Sequence, residues 1–113
     1  MDQLYITMES TYCLVRIGST YLKVNQYGEM QRKMKSGSWK YIEDNCNHGN
    51  GMNVLIIEGK QYTRHKIIGC VYFKLDFDKS YTCIFKDKNR MNCNINNIQF
   101  IPCTNHRIKK YVS

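Results

Sequence analysis

The chain has little of several features that define other classes of protein. It has one proline and one tryptophan in 113 residues, and only 9 acidic residues against 17 lysines and arginines. No apolar run approaches the roughly 20 residues that a membrane-spanning helix needs. Residues 1–10 show no basic start followed by an apolar stretch. We therefore expect no membrane anchor and no signal peptide, and an intracellular protein.

Positive charge is what the sequence does have. The formal net charge is +8. An excess of this size favours anionic partners but says nothing about the fold. Nucleic acid is the first candidate partner, and an anionic membrane surface is the second. The abundance of Asn, Ile, Lys and Tyr, whose codons are AT-rich, also favours a phage or a large DNA virus as the source.

The six cysteines lack the close spacing that metal sites use. They are Cys13, Cys46, Cys70, Cys83, Cys93 and Cys103. Without a secretion signal, we interpret them as reduced thiols in a reducing compartment, the host cytoplasm or nucleus if the source is viral. A zinc alternative would combine Cys83, Cys93 and Cys103 with Cys70 or His106. Structural zinc sites usually contain a closely spaced cysteine pair, so zinc is the less favoured interpretation.

The spacing of apolar residues predicts short strands followed by a mixed second half. Strands are predicted at 12–17, 20–24, 29–33, 39–42, 52–57, 61–63, 81–85 and 98–101. Turns are predicted at Asn25–Gly28 and Glu58–Lys60. The apolar spacing of Ile67, Ile68, Val71 and Tyr72 predicts a helix over 64–73, and Thr104 is a suitable N-cap for a terminal helix to about Tyr111.

Three blocks resemble a known family, and the first is a turn. Val24-Asn25-Gln26-Tyr27-Gly28-Glu29-Met30 resembles the nuclease-associated modular domain found beside HNH homing endonucleases. That module has a strand, an Asn/Gly turn and a return strand with the pattern Y-x-V-S-N-x-G-x-V. This chain has Leu22 in place of the Tyr and Asn25-Gln26 in place of Ser-Asn.

The other two blocks resemble the nuclease itself. Residues 51–68 are similar to the HNH lead-in, in which a strand and an N-G-K turn precede a V-H-R-L-V helix start. Asn92-Cys93-Asn94-Ile95-Asn96-Asn97-Ile98 is similar to the family's N-N-R-x-x-N-L block. The three blocks follow the family's order over most of 22–108. The resemblance implies an α+β fold, with a small N-terminal β-hairpin module in residues 1–50 packed on a ββα-metal core in residues 51–113.

The same alignment places hydrocarbon side chains where the family has its catalytic groups. Counting back from Asn92, the general-base His falls at Phe85 and the adjacent metal-binding residue at Ile84. Asn97 falls on the Asn that holds the catalytic loop, and His106 falls near the last metal ligand. Because neither Ile nor Phe can bind Mg²⁺ or accept a proton, we expect a degenerate nuclease that binds DNA. No cofactor is expected; Mg²⁺ would be the metal if activity survived, and a remnant site would bind it poorly.

Some of these residues also have structural interpretations. Asn97 is more commonly a residue that holds a loop by hydrogen bonds to the backbone than a metal ligand. For His106, a surface residue that lies near a DNA phosphate is a simpler interpretation than a metal ligand. His65 is either a phosphate contact at a helix start or a side chain bonded to backbone.

Double-stranded DNA is the expected partner, held mainly through its phosphates. The turn at Asn25–Gly28, or the strand that begins at Trp39, is expected to enter a groove. The candidate contacts are Lys23, Asn25, Arg32, Lys33, Arg64, His65, Lys66, Lys86, Lys88, Arg90, Arg107, Lys109 and Lys110.

Two further alternatives to a non-cleaving DNA-binding protein stay open. The first is an active nickase with a non-standard site, for example Asp87 with His106. The second is a structural or protein-interaction module whose charge serves solubility.

Overall fold

The computed structural model describes residues 4–9 and 11–103, with the side chains of residues 7–9 left out. The described strands are β1 (Leu4–Glu9), β2 (Tyr12–Ile17), β3 (Thr20–Val24), β4 (Met30–Lys33), β5 (Trp39–Ile42), β6 (Val54–Ile57), β7 (Lys60–Thr63), β8 (Tyr81–Phe85) and β9 (Ile98–Pro102). One helix, α1 (Arg64–Tyr72), lies between β7 and β8. No helix in these ranges is long and apolar enough to cross a membrane.

Strands β1 to β5 form one antiparallel sheet in which each strand pairs with the next. Gly18 lies in the short turn between β2 and β3 at φ +60, a backbone conformation that glycine adopts at little cost. The Asn25–Gly28 turn joins β3 to β4, with Gly28 at φ +84. The N-terminal part is therefore a five-stranded meander, larger than the predicted β-hairpin module.

Alternation along the strands gives this sheet two different faces. The centre of the inner face is apolar and fully buried, formed by Cys13, Val15, Ile17, Leu22, Val24 and Met30. On the edge strands of the same face, Ile6 is 43% exposed and Lys40 is exposed. Burial of each large aliphatic side chain contributes roughly 1.5–3 kcal/mol. The opposite face is open, and the term outer sheet face is used for it below.

The second half supplies the other side of the core. The β6–β7 hairpin leads directly into α1, which is buried on most sides, and β8 and β9 pair as a second hairpin. Ile67 and Ile68 of α1 share one cluster with Leu22 of the sheet and with Phe85 and Ile98 of the β8–β9 hairpin. The two halves of the chain are thus packed around a single core.

Polar contacts at the β6–β7 turn join the halves at one end. The Glu58 carboxylate accepts hydrogen bonds from the Ser19 amide and hydroxyl, both at 2.8 Å, and from the Thr20 hydroxyl at 2.9 Å. Arg32 donates to the Ile56 carbonyl at 2.9 Å. These contacts fix the β2–β3 turn against the second half.

Most predicted elements are confirmed, with shifts at their ends. The strands at 12–17, 20–24, 39–42 and 81–85 and the Asn25–Gly28 turn have the predicted bounds; β4 and β6 begin later than predicted, and β9 includes Pro102. The helix ends at Tyr72, one residue early. The Glu58–Lys60 turn is shorter than predicted, because Lys60 already pairs with Ile57. Strand β1 was not predicted, and the predicted terminal helix lies outside the described residues.

Candidate nucleic-acid interface

The loop between β8 and β9, residues 86–97, is organised around Asn97. Its amide oxygen accepts from the Asp87 backbone N–H at 2.9 Å, and its amide nitrogen donates to the Asn92 carbonyl at 2.9 Å. The Lys86 N–H also donates to the Asn97 carbonyl at 2.8 Å. Asn97 is buried. The structure therefore has the contacts expected of a residue that holds this loop.

A chain of small turns explains why the loop is rich in asparagine. The side chains of Asp87, Asn89, Asn92 and Asn94 each accept a hydrogen bond from the backbone N–H two residues further on, at 2.8–3.2 Å. Asn and Asp favour this geometry because their short side chains imitate a backbone turn. The loop is thus a defined surface.

Positive side chains are exposed along this loop. Lys86, Lys88 and Arg90 are exposed, and Lys88 has φ +65. Arg90 also donates to the Asn50 carbonyl at 2.6 Å, which ties the loop to the segment before β6. Hydrogen bonds, the largest from Asn92, lower the pKa of Asp87 and keep its carboxylate ionised. The loop therefore presents cations on a backbone held in one conformation, and such cations are the groups that contact phosphates.

The last two residues of β8 point in opposite directions. Ile84 is 39% exposed and pairs with Gln99 across the hairpin. Phe85 is 8% exposed and lies in the core cluster. Its ring is edge-on to the imidazole of His65, with centroids 5.5 Å apart. The two positions that the resemblance assigns to catalysis thus carry one exposed and one buried hydrocarbon side chain.

The burial of His65 corrects its prediction as a phosphate contact. The imidazole lies between the rings of Phe85 and Phe100, and burial, followed by the charge of Lys66, lowers its pKa to about 4. At neutral pH, a buried and uncharged imidazole cannot pair with a phosphate. Its Nδ1 also has no hydrogen-bond partner among the described residues.

Arg64 is also wrong as a phosphate contact, because it is 1% exposed. Its guanidinium donates to the carbonyls of Gly28 at 3.1 Å, Ile42 at 3.0 Å and Glu43 at 2.9 Å. The Asp44 carboxylate lies 3.8 Å from its Nε. Arg64 is therefore an internal clamp between the sheet and the helix start. A lone arginine at a predicted helix start gives no sequence signal for this role.

Asn25 needs the same correction. It is buried, and its side-chain oxygen accepts from the N–H groups of Tyr27 and Glu29, both at 3.0 Å. Its amide nitrogen donates to the Glu29 carboxylate at 2.8 Å. Because these bonds form the turn itself, Asn25 cannot read a base without breaking it.

The other predicted contacts have mixed placements. Lys66 is partly buried, donates to the Lys79 carbonyl and lies 4.9 Å from the Tyr81 ring centroid. Arg32, half-buried, is held by Ile56 as described above. Four predicted contacts or ligands lie outside the described residues, and these are His106, Arg107, Lys109 and Lys110.

The described cysteines are free thiols. Burial raises the pKa of Cys70 and Cys83 to about 11 and that of Cys93 to about 12. These three thiols are therefore protonated at neutral pH. Within residues 4–9 and 11–103, no three His, Cys, Asp or Glu side chains are grouped so that they could hold a metal ion.

The outer sheet face carries a row of side chains that the sequence did not reveal. Across the strands the row reads Tyr5, Arg16, Tyr21, Lys33 and Trp39, one residue from each of β1 to β5. Aromatic and cationic side chains alternate along it. Lys23, Gln31 and Tyr41 form part of a second row beside it. Only Lys23 and Lys33 of these rows were predicted as nucleic-acid contacts.

The cations of this face lie over its rings. Arg16 is 4.2 Å from the Tyr5 ring centroid, Lys23 is 4.5 Å from that of Trp39 and Lys33 is 5.8 Å from that of Tyr21. A hydrogen bond with Tyr21 is the main cause that raises the pKa of Arg16. Such contacts are modest in energy at exposed sites, but they hold flexible cations in defined places.

The described part of the chain is a small β-rich fold with one helix, and this fold is similar to that of an HNH endonuclease. The particular neighbour is the HNH homing endonuclease I-HmuI, whose solved structure is reported for DNA binding and cleavage. The match has a TM-score of 0.52 at 19% sequence identity and covers 80% of this chain. It spans about half, 52%, of the length of that protein. No protein-family model matches the chain, and no curated protein matches its sequence.

Proposed function

We propose that the protein binds duplex DNA and does not cleave it by the HNH mechanism. The observation that carries the proposal is the β8–β9 hairpin. Its loop is held in place by Asn97 and displays Lys86 and Lys88 to solvent, while the strand before it ends in Ile84 and Phe85. The likeness in fold to a DNA-binding and DNA-cleaving endonuclease supports DNA as the partner.

The loop is suited to contact with phosphates. Cations that neutralise phosphates release counterions from DNA, so affinity comes largely from charge and falls with salt. Lys86 and Lys88 are exposed and lie in a loop fixed by its own hydrogen bonds. The ordering cost on binding is therefore small, since the backbone is already held in one conformation.

Cleavage by the HNH mechanism needs an activated water and a cation beside the developing charge. In the family both functions draw on the strand end that corresponds to Ile84 and Phe85. An exposed Ile offers no oxygen or nitrogen ligand, and a Phe packed on His65 offers no base. General-base catalysis alone is commonly worth about 10²–10⁴-fold. We therefore propose that any cleavage falls to background.

Asp87 is the residue that would support the alternative of an active nickase. Its two carboxylate oxygens already accept hydrogen bonds from the Asn89 N–H at 2.8 Å and the Asn92 side chain at 2.9 Å. Both contacts stabilise the loop. Binding of a metal ion by Asp87 would compete with these contacts, so we favour a structural role for this carboxylate.

The test is an electrophoretic mobility-shift titration of duplex DNA at several salt concentrations. Lys86→Gln/Lys88→Gln is compared with Lys74→Gln/Lys79→Gln, a pair of exposed lysines outside the loop. Each pair contains one lysine at positive φ, Lys88 at +65 and Lys74 at +59, so backbone strain is matched. The loop variant is expected to reduce the slope of log K against log salt by about 2. Equal slopes for the two variants would contradict the proposed surface.

A further inference from the structure

The outer sheet face has a composition that the β8–β9 loop does not share. The two rows described above include four aromatic rings, those of Tyr5, Tyr21, Trp39 and Tyr41. They also include three cations, Arg16, Lys23 and Lys33, and no carboxylate among the described members of the two rows. The face therefore complements a polyanion that also offers flat apolar surfaces.

The rings of this face are accessible. Tyr5 is 48% exposed, Tyr21 39% and Tyr41 50%. A depression of about 240 Å³ opens between Tyr5, Leu14, Arg16 and Tyr21. Exposed aromatic residues on a sheet face, with cations close to their rings, are a platform on which nucleobases can stack.

The width of the sheet decides between paired and unpaired nucleic acid. Four strand spacings of about 4.8 Å place β1 and β5 roughly 19 Å apart. The major groove is about 12 Å wide and admits a helix or a two-stranded ribbon. The whole row therefore cannot lie in one groove. Ring faces also have no partner in a duplex, because paired bases are already stacked on one another.

We infer that the outer sheet face binds an unpaired strand of DNA, with bases stacked on its aromatic rings and phosphates beside Arg16, Lys23 and Lys33. The choice of DNA rests on the proposed function, which this inference deepens. Groove entry by the strand that begins at Trp39 was one of the two alternatives expected from the sequence, the other being entry by the Asn25–Gly28 turn. Engagement of the whole face by unpaired bases replaces that expectation for the outer sheet face.

Trp39 provides a direct probe, since it is the only tryptophan in the chain. Titration of the full-length protein with oligothymidylate is expected to quench Trp39 fluorescence, because a stacked base changes the environment of the indole. A duplex of equal length is expected to change this emission less at equal occupancy. An unchanged emission at saturating oligothymidylate would overturn the inference.

Substitutions of aromatic residues test base stacking, because they leave the charge of the outer sheet face unchanged. Tyr21→Leu and Trp39→Leu are each expected to weaken binding of a labelled oligothymidylate by about tenfold in anisotropy titrations. Trp39→Phe retains a ring and should stay close to wild type. Phe73→Leu is the matched control for Tyr21→Leu. Phe73 is 40% exposed, close to the 39% of Tyr21, but it lies at the end of α1. Wild-type affinity in both leucine variants of the face would overturn the inference.

The outcomes also separate this inference from the proposed function. Lys86→Gln/Lys88→Gln should weaken duplex binding and leave oligothymidylate binding intact. If duplex DNA binds and oligothymidylate does not, the inference fails and the proposed function stands. If neither binds, both fail. Tighter binding of oligouridylate than of oligothymidylate would overturn the assignment to DNA.

Discussion

The Phe85 ring is perpendicular to the His65 imidazole, at an interplanar angle of 85° and a centroid distance of 5.5 Å. This contact places Phe85, the position to which the sequence resemblance assigns the general base, inside the core. It also explains the correction of the phosphate contact predicted for His65. His65 is packed away from solvent, and the end of β8 contributes to stability through an apolar contact.

Substitution of Phe85 should be costly to stability, in contrast to its neighbour. Removal of a buried Phe side chain commonly costs about 3–5 kcal/mol, so Phe85→Ala should lower the free energy of unfolding by that amount. Ile84→Ala, at an exposed position, should cost less than about 1 kcal/mol. Denaturant titrations of both variants measure the difference. Equal costs would show that Phe85 is not a core residue.

Arg64 should behave as an internal clamp. Arg64→Met leaves the carbonyls of Gly28, Ile42 and Glu43 without their donor, and loss of one partner of a buried charged group costs about 3–5 kcal/mol. Lys66→Met, at a partly exposed position on the same turn of α1, should cost much less. Thermal unfolding is the readout. A stable Arg64→Met protein with weakened DNA binding would restore the phosphate role that burial excludes.

Substitution of Gly28 by alanine should lower the stability of the fold more than the same substitution at Gly37, a glycine of similar backbone conformation. A Cβ at Gly28 would lie 3.0 Å from the Cys93 carbonyl carbon and oxygen, whereas a Cβ at Gly37 has no neighbour within 4 Å. Both have positive φ, +84 and +92, so the strain from φ is shared. Gly37→Ala should cost about 1 kcal/mol, and Gly28→Ala distinctly more. Equal losses in chemical denaturation would show that the close approach has no energetic weight.

Stability should fall as acid protonates His65. Burial lowers its folded-state pKa to about 4 from 6.5, so the unfolded state binds more protons between these values. His65 contributes about 3 kcal/mol to the free energy of unfolding above pH 6.5, and this contribution is lost as the pH falls towards 4. Between pH 7.5 and 5, wild type should lose roughly 2 kcal/mol more than His65→Gln. The exposed variant His48→Gln should follow wild type; identical profiles for His65→Gln and wild type would contradict this role.

Most of the strands and the helix α1 could be predicted from the sequence. Short runs of residues between turn signals located β2, β3 and β5, and the apolar spacing around Ile67 located α1. Strand β1 was missed because Leu4–Glu9 is bounded by no glycine or proline. Its only local signal was a short run of β-forming residues.

The functional surfaces were harder to predict, because they depend on pairing between distant residues. Arg64 counts as polar in any periodic pattern, and its burial follows only from carbonyls 21 to 36 residues away. The row from Tyr5 to Trp39 exists only once the register of four strand pairs is known. The loop cations Lys86 and Lys88 were predicted, since they lie close together in the sequence.

Binding without cleavage is tested by one incubation of supercoiled plasmid with the protein and Mg²⁺ or Mn²⁺, divided between a mobility-shift gel and a denatured topology gel. We expect retarded plasmid on the first gel and unchanged supercoiled DNA on the second, because Ile84 and Phe85 supply neither a metal ligand nor a base. Metal-dependent conversion to nicked plasmid that disappears in His106→Ala would contradict it, since that result would show a working site built from other residues of this chain.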